Sequence, residues 1–243
     1  MIASAPAVWV VIPTRDEAEA IGPLLAELAR APVAGVVVAD GGSTDGTAER
    51  ARAAGATTLG VGPGYGRACA AGAAAAVAAG AEILVFMDGD GADDPAFLPA
   101  LLAPLRSGEA ALVLGARVRR LRAKGAMAWH QALAGRLAGF VLGRLYGVRM
   151  RDMCAFRALR AETLAALALR ETGYGWNIEM QMRAARAGLV CREIPVPCRR
   201  RLGGRSKVAG SLPGSLRASA RILLTIARIA AEPRLRPARL RPG

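Results

Sequence analysis

Apolar positions along the chain follow two patterns, one in each half. In the first half short apolar runs alternate with stretches of helical period. Residues 8–12 form an apolar run ended by Pro13, which reads as a buried strand. Residues 18–30 follow as a helix, 35–39 as a second strand ending at Asp40, 47–54 as a short helix and 57–61 as a short strand. Residues 67–79 are nearly all small, a helix suited to close packing on a sheet. Residues 82–87 read as a strand ending at Asp88, and 110–114 as another. Between them Asp94-Pro95 opens a helix, with Asp as N-cap and Pro at the first helical position.

Repeated strand–helix units predict an α/β fold, a mixed and mainly parallel sheet with helices on both faces. Ligands of such sheets bind outside the carboxyl ends of the strands, so Pro13, Asp40 and Asp88 are expected to line one crevice.

The second half is mostly helical, at 126–146 and 176–187, with one strand at 189–196. Residues 199–210 form a basic, glycine-containing loop, and 213–231 a basic amphipathic helix. Residues 1–231 read as a single domain with halves 1–116 and 117–231. The Arg- and Pro-rich residues 232–243 read as a disordered tail.

Composition sharpens this division. With 53% hydrophobic residues the 243-residue chain has enough apolar surface for a sizeable core. The formal charge of +14 is uneven: residues 1–116 carry 6 Arg against 13 Asp and Glu, whereas 117–243 carry 27 Arg and Lys against 6. A cation suits the acidic half, and phosphates or an anionic membrane surface suit the basic one. A nucleic-acid partner is not expected, because aromatic content is 4% and the basic half lacks stacking platforms. Four cysteines without a CxxC pair and a single histidine, His130, argue against zinc. Residues 1–7 have neither the basic region nor the apolar core of a signal peptide, and no segment offers about 20 predominantly apolar residues. The expectation is a cytoplasmic protein, peripheral on the inner face of the cell membrane. Helix 213–231 is expected either to lie on a membrane surface or to pack its Leu/Ile face on the domain or on a partner subunit of a homo-oligomer.

Four segments carry candidate chemistry. Phe86-Met87-Asp88-Gly89-Asp90 sets two carboxylates one residue apart just past a strand, oxygen ligands of the kind Mg²⁺ or Mn²⁺ shares with substrate phosphates. Asp40-Gly41-Gly42-Ser43-Thr44-Asp45-Gly46-Thr47 leaves a strand and opens a helix. There Asp40 can accept from a base or ribose, and Ser43 or Thr44 can cap. Pro13-Thr14-Arg15-Asp16-Glu17 is again strand end and helix start, with Asp16 as a plain N-cap. Gly62-Pro63-Gly64-Tyr65-Gly66-Arg67 is a glycine-rich loop before a helix, a candidate phosphate cradle. None fits a Walker loop or a dinucleotide-binding GxGxxG directly after the first strand.

In this order the four segments resemble family 2 glycosyltransferases of the GT-A fold, and in particular the dolichyl-phosphate mannose and glucose synthase branch. That likeness extends to Gly115-Ala116-Arg117, Phe156-Arg157-Ala158 and Arg201-Leu202-Gly203-Gly204-Arg205-Ser206-Lys207, and covers residues 8–230. Asp16 stands where the pattern has Asn, and Gly41 where it has a second Asp.

The resemblance implies transfer of a hexose from a UDP- or GDP-sugar to a polyprenyl phosphate, with Mg²⁺ or Mn²⁺. Pro13, Arg15, Glu17, Asp40 and Gly66 would hold the nucleotide. Asp88 and Asp90 would serve ribose and metal–diphosphate. Arg201, Ser206 and Lys207 would close over phosphates, and Arg117 and Arg157 would meet the acceptor phosphate, with Ser206 beside them. A hydroxyl acceptor would instead need a general base, for which Glu179 is the candidate. A sugar nucleotidyltransferase is the more distant rival, and it would want a GxGxR-type loop after the first strand.

Overall fold

The computed structural model describes residues 5–126, 129–148, 150–204 and 212–232. The strands are β1 (Val8–Thr14), β2 (Gly35–Asp40), β3 (Thr57–Gly60), β4 (Ile83–Phe86), β5 (Leu112–Arg122), β6 (Arg157–Arg160) and β7 (Cys191–Cys198). The helices are α1 (Ala18–Leu28), α2 (Thr47–Ala53), α3 (Tyr65–Ala78), α4 (Leu98–Arg106), α5 (Trp129–Tyr146), α6 (Ala161–Leu167), α7 (Trp176–Arg186) and α8 (Leu212–Ala231). Asp94 caps a 3-10 turn, Pro95–Phe97, by accepting from the Ala96 N–H at 3.0 Å.

All seven strands form one sheet in the order β3-β2-β1-β4-β6-β5-β7. The first four run parallel, β6 is antiparallel to both neighbours, and β7 is parallel to β5. Strand β1 is buried on both faces: Val10 and Ile12 point into one core with Leu24, Leu28 and Leu101, while Val11 points into the other with Cys69, Phe86 and Trp176. Each such fully buried aliphatic contributes about 1.5–3 kcal/mol. Helices α1, α2 and α4 cover the first face, and α3, α5, α7 and α8 the second. Small residues in α3 allow close approach: a Cβ on Gly72 would lie 2.5 Å from Val11 Cγ1.

Three elements depart from the expectation. Strand β6 and helix α6 were not legible, because β6 carries Arg157 at a position that is 0% exposed, polar where the pattern needs an apolar residue. Strand β5 runs on to Arg122 instead of stopping at 114. Its charged extension is held by pairing with β7, with a register shift between Arg117 and Arg122. The tail expectation also shifts at its first residue: Glu232 is anchored, accepting from Arg183 at 3.1 Å. The rest of that tail lies outside the described residues.

Candidate active site

The carboxyl ends of β2, β1 and β4 meet at one edge, since Thr14 is in register with Asp40 and Val11 with Phe86. Pro13, Asp40 and Asp88 therefore stand around one crevice, as the strand pattern predicts. Pro13 is buried within β1, and Arg15 is exposed at the rim.

The first two loops are locked to each other by side chain-to-backbone bonds. Ser43 Oγ accepts from the Asp16 N–H at 2.8 Å, Thr47 Oγ1 from Glu17 N–H at 2.8 Å and Asp45 Oδ2 from Ala18 N–H at 3.0 Å. Asp16 Oδ1 in turn accepts from the Thr44 N–H at 3.0 Å. Helix α1 is thus capped by the β2–α2 loop and not by Asp16, and α2 has the left-handed Gly46 as its N-cap in place of Ser43 or Thr44. Asp16 has φ 49°, a left-handed conformation that Asn and Asp tolerate best, which explains why either residue serves there. Asp40 accepts from the Ser43 N–H at 3.1 Å and from its hydroxyl, so its carboxylate is oriented within its own turn.

Past β4 the carboxylates of Asp88, Asp90 and Asp93 gather. Asp90 and Asp93 are buried. Burial, then the charges of Asp90 and Asp93, push the Asp88 carboxyl up to about 8. Burial and Asp90 push Asp93 up to about 6. Asp93 Oδ2 accepts from the Asp88 N–H at 3.2 Å, and Tyr65 donates its hydroxyl to Asp88 Oδ1 at 3.2 Å.

A strap formed by residues 199–204 lies across this turn. Arg199 donates to the carbonyls of Gly91 at 3.2 Å and Asp93 at 3.0 Å, and pairs with Glu27 at 2.9 Å. Arg201 bridges two acids, donating to Asp90 and, at 2.5 Å, to Glu17 Oε1. The Leu202 N–H donates to the Asp90 carbonyl at 2.9 Å, and the Leu202 side chain covers Gly91. On the neighbouring side Arg117 forms a two-pronged pair with Asp152, at 2.8 and 2.6 Å.

A hard divalent cation fits this donor set. The oxygens of Asp88 and Asp90 are the right chemistry, and a cation would offset both the burial and the charge of Asp90 and Asp93 that raise Asp88. Among the described residues no group of three or more His, Cys, Asp or Glu is placed to hold a metal ion by itself. A buried hydroxyl, Thr14 Oγ1, makes no hydrogen bond to the described residues and adds an unused polar atom at the end of β1.

Three expected site residues are placed otherwise. Glu179 is 0% exposed and accepts four hydrogen bonds, from the N–H groups of Arg170 and Glu171 and from Arg183 and Arg228. It joins α7 to α8, with both carboxylate oxygens engaged. Arg157 is equally buried and donates to the carbonyls of Cys154 and Asn177, so it supports the site from within the core and does not face an acceptor. Gly66 is needed for close packing: a Cβ there would lie 2.3 Å from the Glu171 carbonyl oxygen. Its N–H donates to Gly173 O and that of Arg67 to Thr172 O, which removes these donors from any phosphate cradle. Ser206 and Lys207 lie outside the described residues.

Tyr65, Asp93, Asp152 and Arg199 enter the site from their geometry. For Tyr65 the signal was an aromatic within a glycine loop, and for Asp93 a third acid after the Asp88–Asp90 pair. Asp152 and Arg199 are held by long-range pairs that no local pattern announces. A groove of about 500 Å³ between α3 and α6, lined by Ala73, Val77, Leu164 and Trp176, has Glu162 as its only carboxylate among the described residues.

Residues 9–164 match the family model described as Glycosyl transferase family 2. The chain belongs to this family; it is a glycosyltransferase with the GT-A fold. It is 33% identical over 226 residues to the undecaprenyl-phosphate mannosyltransferase of Micrococcus luteus, covering 85% of this chain and 89% of that one. Its identity to the polyprenol monophosphomannose synthase of Mycolicibacterium smegmatis is 31% over 215 residues, covering 83% and 81%. Among solved structures, glucosyl-3-phosphoglycerate synthase from Mycobacterium tuberculosis, in complex with Mn²⁺, UDP and glucosyl-3-phosphoglycerate, superposes with a TM-score of 0.74. That match has 25% identity and covers 95% of this chain and 82% of that one.

Proposed function

We propose that this protein transfers a hexose from a nucleotide-diphosphate sugar, UDP- or GDP-linked, to the phosphate of a polyprenyl phosphate, with Mg²⁺ or Mn²⁺ bound between Asp88, Asp90 and the diphosphate. The observation that carries the reading is the carboxylate cluster at the strand ends, crossed by the arginines of the strap. The names of the two mannosyltransferase relatives support the lipid acceptor, and the Mn²⁺–UDP complex of the structural neighbour supports the donor and the metal.

In this reading Glu17 and Asp40 hold the nucleoside beside Pro13, with Arg15 at the rim and Thr14 Oγ1 as a further polar contact. The metal supplies positive charge to the leaving diphosphate. Arg201 adds a second cation from the strap, and Ser206 and Lys207 follow it in the chain. Arg117, held rigid by Asp152, receives the acceptor phosphate. A phosphate monoester is already anionic near neutral pH, its second pKa being about 6, so it attacks the anomeric carbon without a general base. Catalysis then rests on positioning and on neutralising the leaving group. The structural employment of Glu179 supports this acceptor class over a hydroxyl.

The test offers purified protein labelled UDP- and GDP-sugars, Mg²⁺ or Mn²⁺, and polyprenyl phosphate, and counts label in the organic phase. Metal-dependent label there is the expected result. No transfer from any donor, with metal–nucleotide binding still measurable, overturns the lipid-phosphate acceptor.

A further inference from the structure

The direction in which Arg117 points is set by Asp152. Asp152 takes Arg117 Nε and Nη2 on its two oxygens, and Oδ2 also accepts from the Arg117 N–H at 3.0 Å. Asp152 itself lies in residues 150–154, which are neither helix nor strand. No ladder or helical turn fixes its backbone, so contacts from elsewhere in the fold must satisfy and place it.

Those contacts come from three elements. Helix α5 lies against the segment, and a Cβ on Gly139 would overlap the Met150 carbonyl. From α7 the fully buried Gln181 donates Nε2 to the Asp152 carbonyl at 2.8 Å. From β7, at the edge of the sheet, Glu193 faces the N–H side of the segment. Its Oε1 accepts from the Arg151 N–H at 2.6 Å and from the Asp152 N–H at 3.1 Å. Glu193 is in register with Leu114, so it sits on the strand beside that of Arg117, three residues back along the pair.

A carboxylate oxygen shared by two successive main-chain N–H groups forms charge-assisted bonds, roughly twice as strong as neutral ones. It fixes the peptide plane between residues 151 and 152, and hence where the Asp152 side chain leaves the backbone. A displacement of about 1 Å at a group that meets substrate can cost about 100-fold in rate. Glu193 is therefore placed to control Arg117 through Asp152.

We propose that Glu193 is a positioning residue of the acceptor site: it holds the 151–152 backbone, which aims Asp152 and through it the Arg117 guanidinium at the acceptor phosphate. The inference rests on Arg117 as the receiver of that phosphate.

The test uses the full chain and a water-soluble short-chain isoprenyl phosphate. Acceptor and donor KM and kcat would be measured, with calorimetric acceptor affinity in the presence of Mn²⁺ and nucleoside diphosphate. Arg117→Ala should raise acceptor KM by about 30-fold. Glu193→Ala should raise it by about tenfold and leave donor KM within about twofold. Glu193→Gln, whose amide oxygen can accept from the same two N–H groups, should stay within about threefold of wild type. In the Arg117→Ala background Glu193→Ala should add no more than about twofold, because residues acting through one network are not additive. If Glu193→Ala fails to fold, Glu193→Asp repeats the test, since it withdraws the carboxylate by one methylene. Full multiplication of the two effects in the double variant overturns the proposal. So does a Glu193→Ala variant with a lowered melt and equal changes in donor and acceptor KM, the signature of a purely structural residue. Sensitivity at Arg117 with none at Glu193 overturns this inference alone. Unchanged acceptor KM and affinity in Arg117→Ala overturn the acceptor role of Arg117 and this inference with it, as does wild type that neither transfers to nor binds the phosphate.

Discussion

Arg201 donates to the carboxylate of Asp90, and through its second terminal nitrogen to Glu17 Oε1 at 2.5 Å, so one side chain of the strap ties the Asp88–Asp90 turn to the start of α1. Without a bound cation, this guanidinium supplies the positive charge that the acids need. Arg201→Gln is expected to move two observables in opposite directions. Turnover should fall by about 100-fold through loss of charge on the leaving diphosphate. Mn²⁺ affinity in the absence of nucleotide should rise by about tenfold, since a competing cation has gone. Electron paramagnetic resonance titration of Mn²⁺ gives the second number, and weaker Mn²⁺ binding in the variant would count against Arg201 as the internal counter-cation.

Asp90 is expected to be indispensable. Asp90→Ala should abolish measurable transfer while leaving a folded protein, because its loss removes a metal ligand but only one partner of Arg201. Organic-phase label together with a thermal melt separates the two effects. Near wild-type turnover would remove Asp90 from the metal site.

Glu179 should behave as a structural residue. Glu179→Ala strands the N–H groups of Arg170 and Glu171 and takes one of two carboxylate partners from Arg183, which keeps Glu232. It should cost about 3–5 kcal/mol of stability, the range for breaking a buried pair on one side. Turnover per folded molecule should be preserved. The opposite pattern, an unchanged melt with collapsed turnover, is the signature of a general base.

Acid should weaken the Arg117–Asp152 pair in a defined direction. Burial pushes the Asp152 carboxyl up, but the hydrogen bond and charge of Arg117 outweigh it and hold the group below its ordinary value. The folded pKa lies below the unfolded one of about 3.9, so the stabilisation is present above that pH and is lost as pH falls through the folded value. Asp152→Asn should therefore lose about 1–3 kcal/mol at pH 7 and show a flatter acid limb. Urea midpoints for both proteins between pH 7 and about pH 3 would check this. Parallel curves would mean that the pair contributes nothing.

At Gly66 the prediction is steric. Gly66→Ala places a methyl 2.3 Å from the Glu171 carbonyl oxygen and should destabilise by about 1–3 kcal/mol. Nucleotide binding, by calorimetry, should be retained at low temperature. A normal melt with lost nucleotide affinity would restore Gly66 to the phosphate cradle.

The alternating pattern of the first half determined the parallel sheet and the meeting of Pro13, Asp40 and Asp88 at one edge, because strand direction and crossover handedness follow from local order along the chain. The motifs determined the acid pair and the family. What the sequence left open depends on partners far apart in the chain. Arg157 and Arg117 look alike as exposed basic residues, yet one is buried under carbonyls and the other is held by Asp152. Glu179 looks like an acid available for chemistry until Arg183 and Arg228 take its oxygens. Gly66 looks like phosphate-loop glycine until the 171–173 segment packs against it. Burial and pairing of polar groups arise from tertiary contacts across tens of residues, and only the folded chain decides which charges it uses for itself and which it leaves for a ligand.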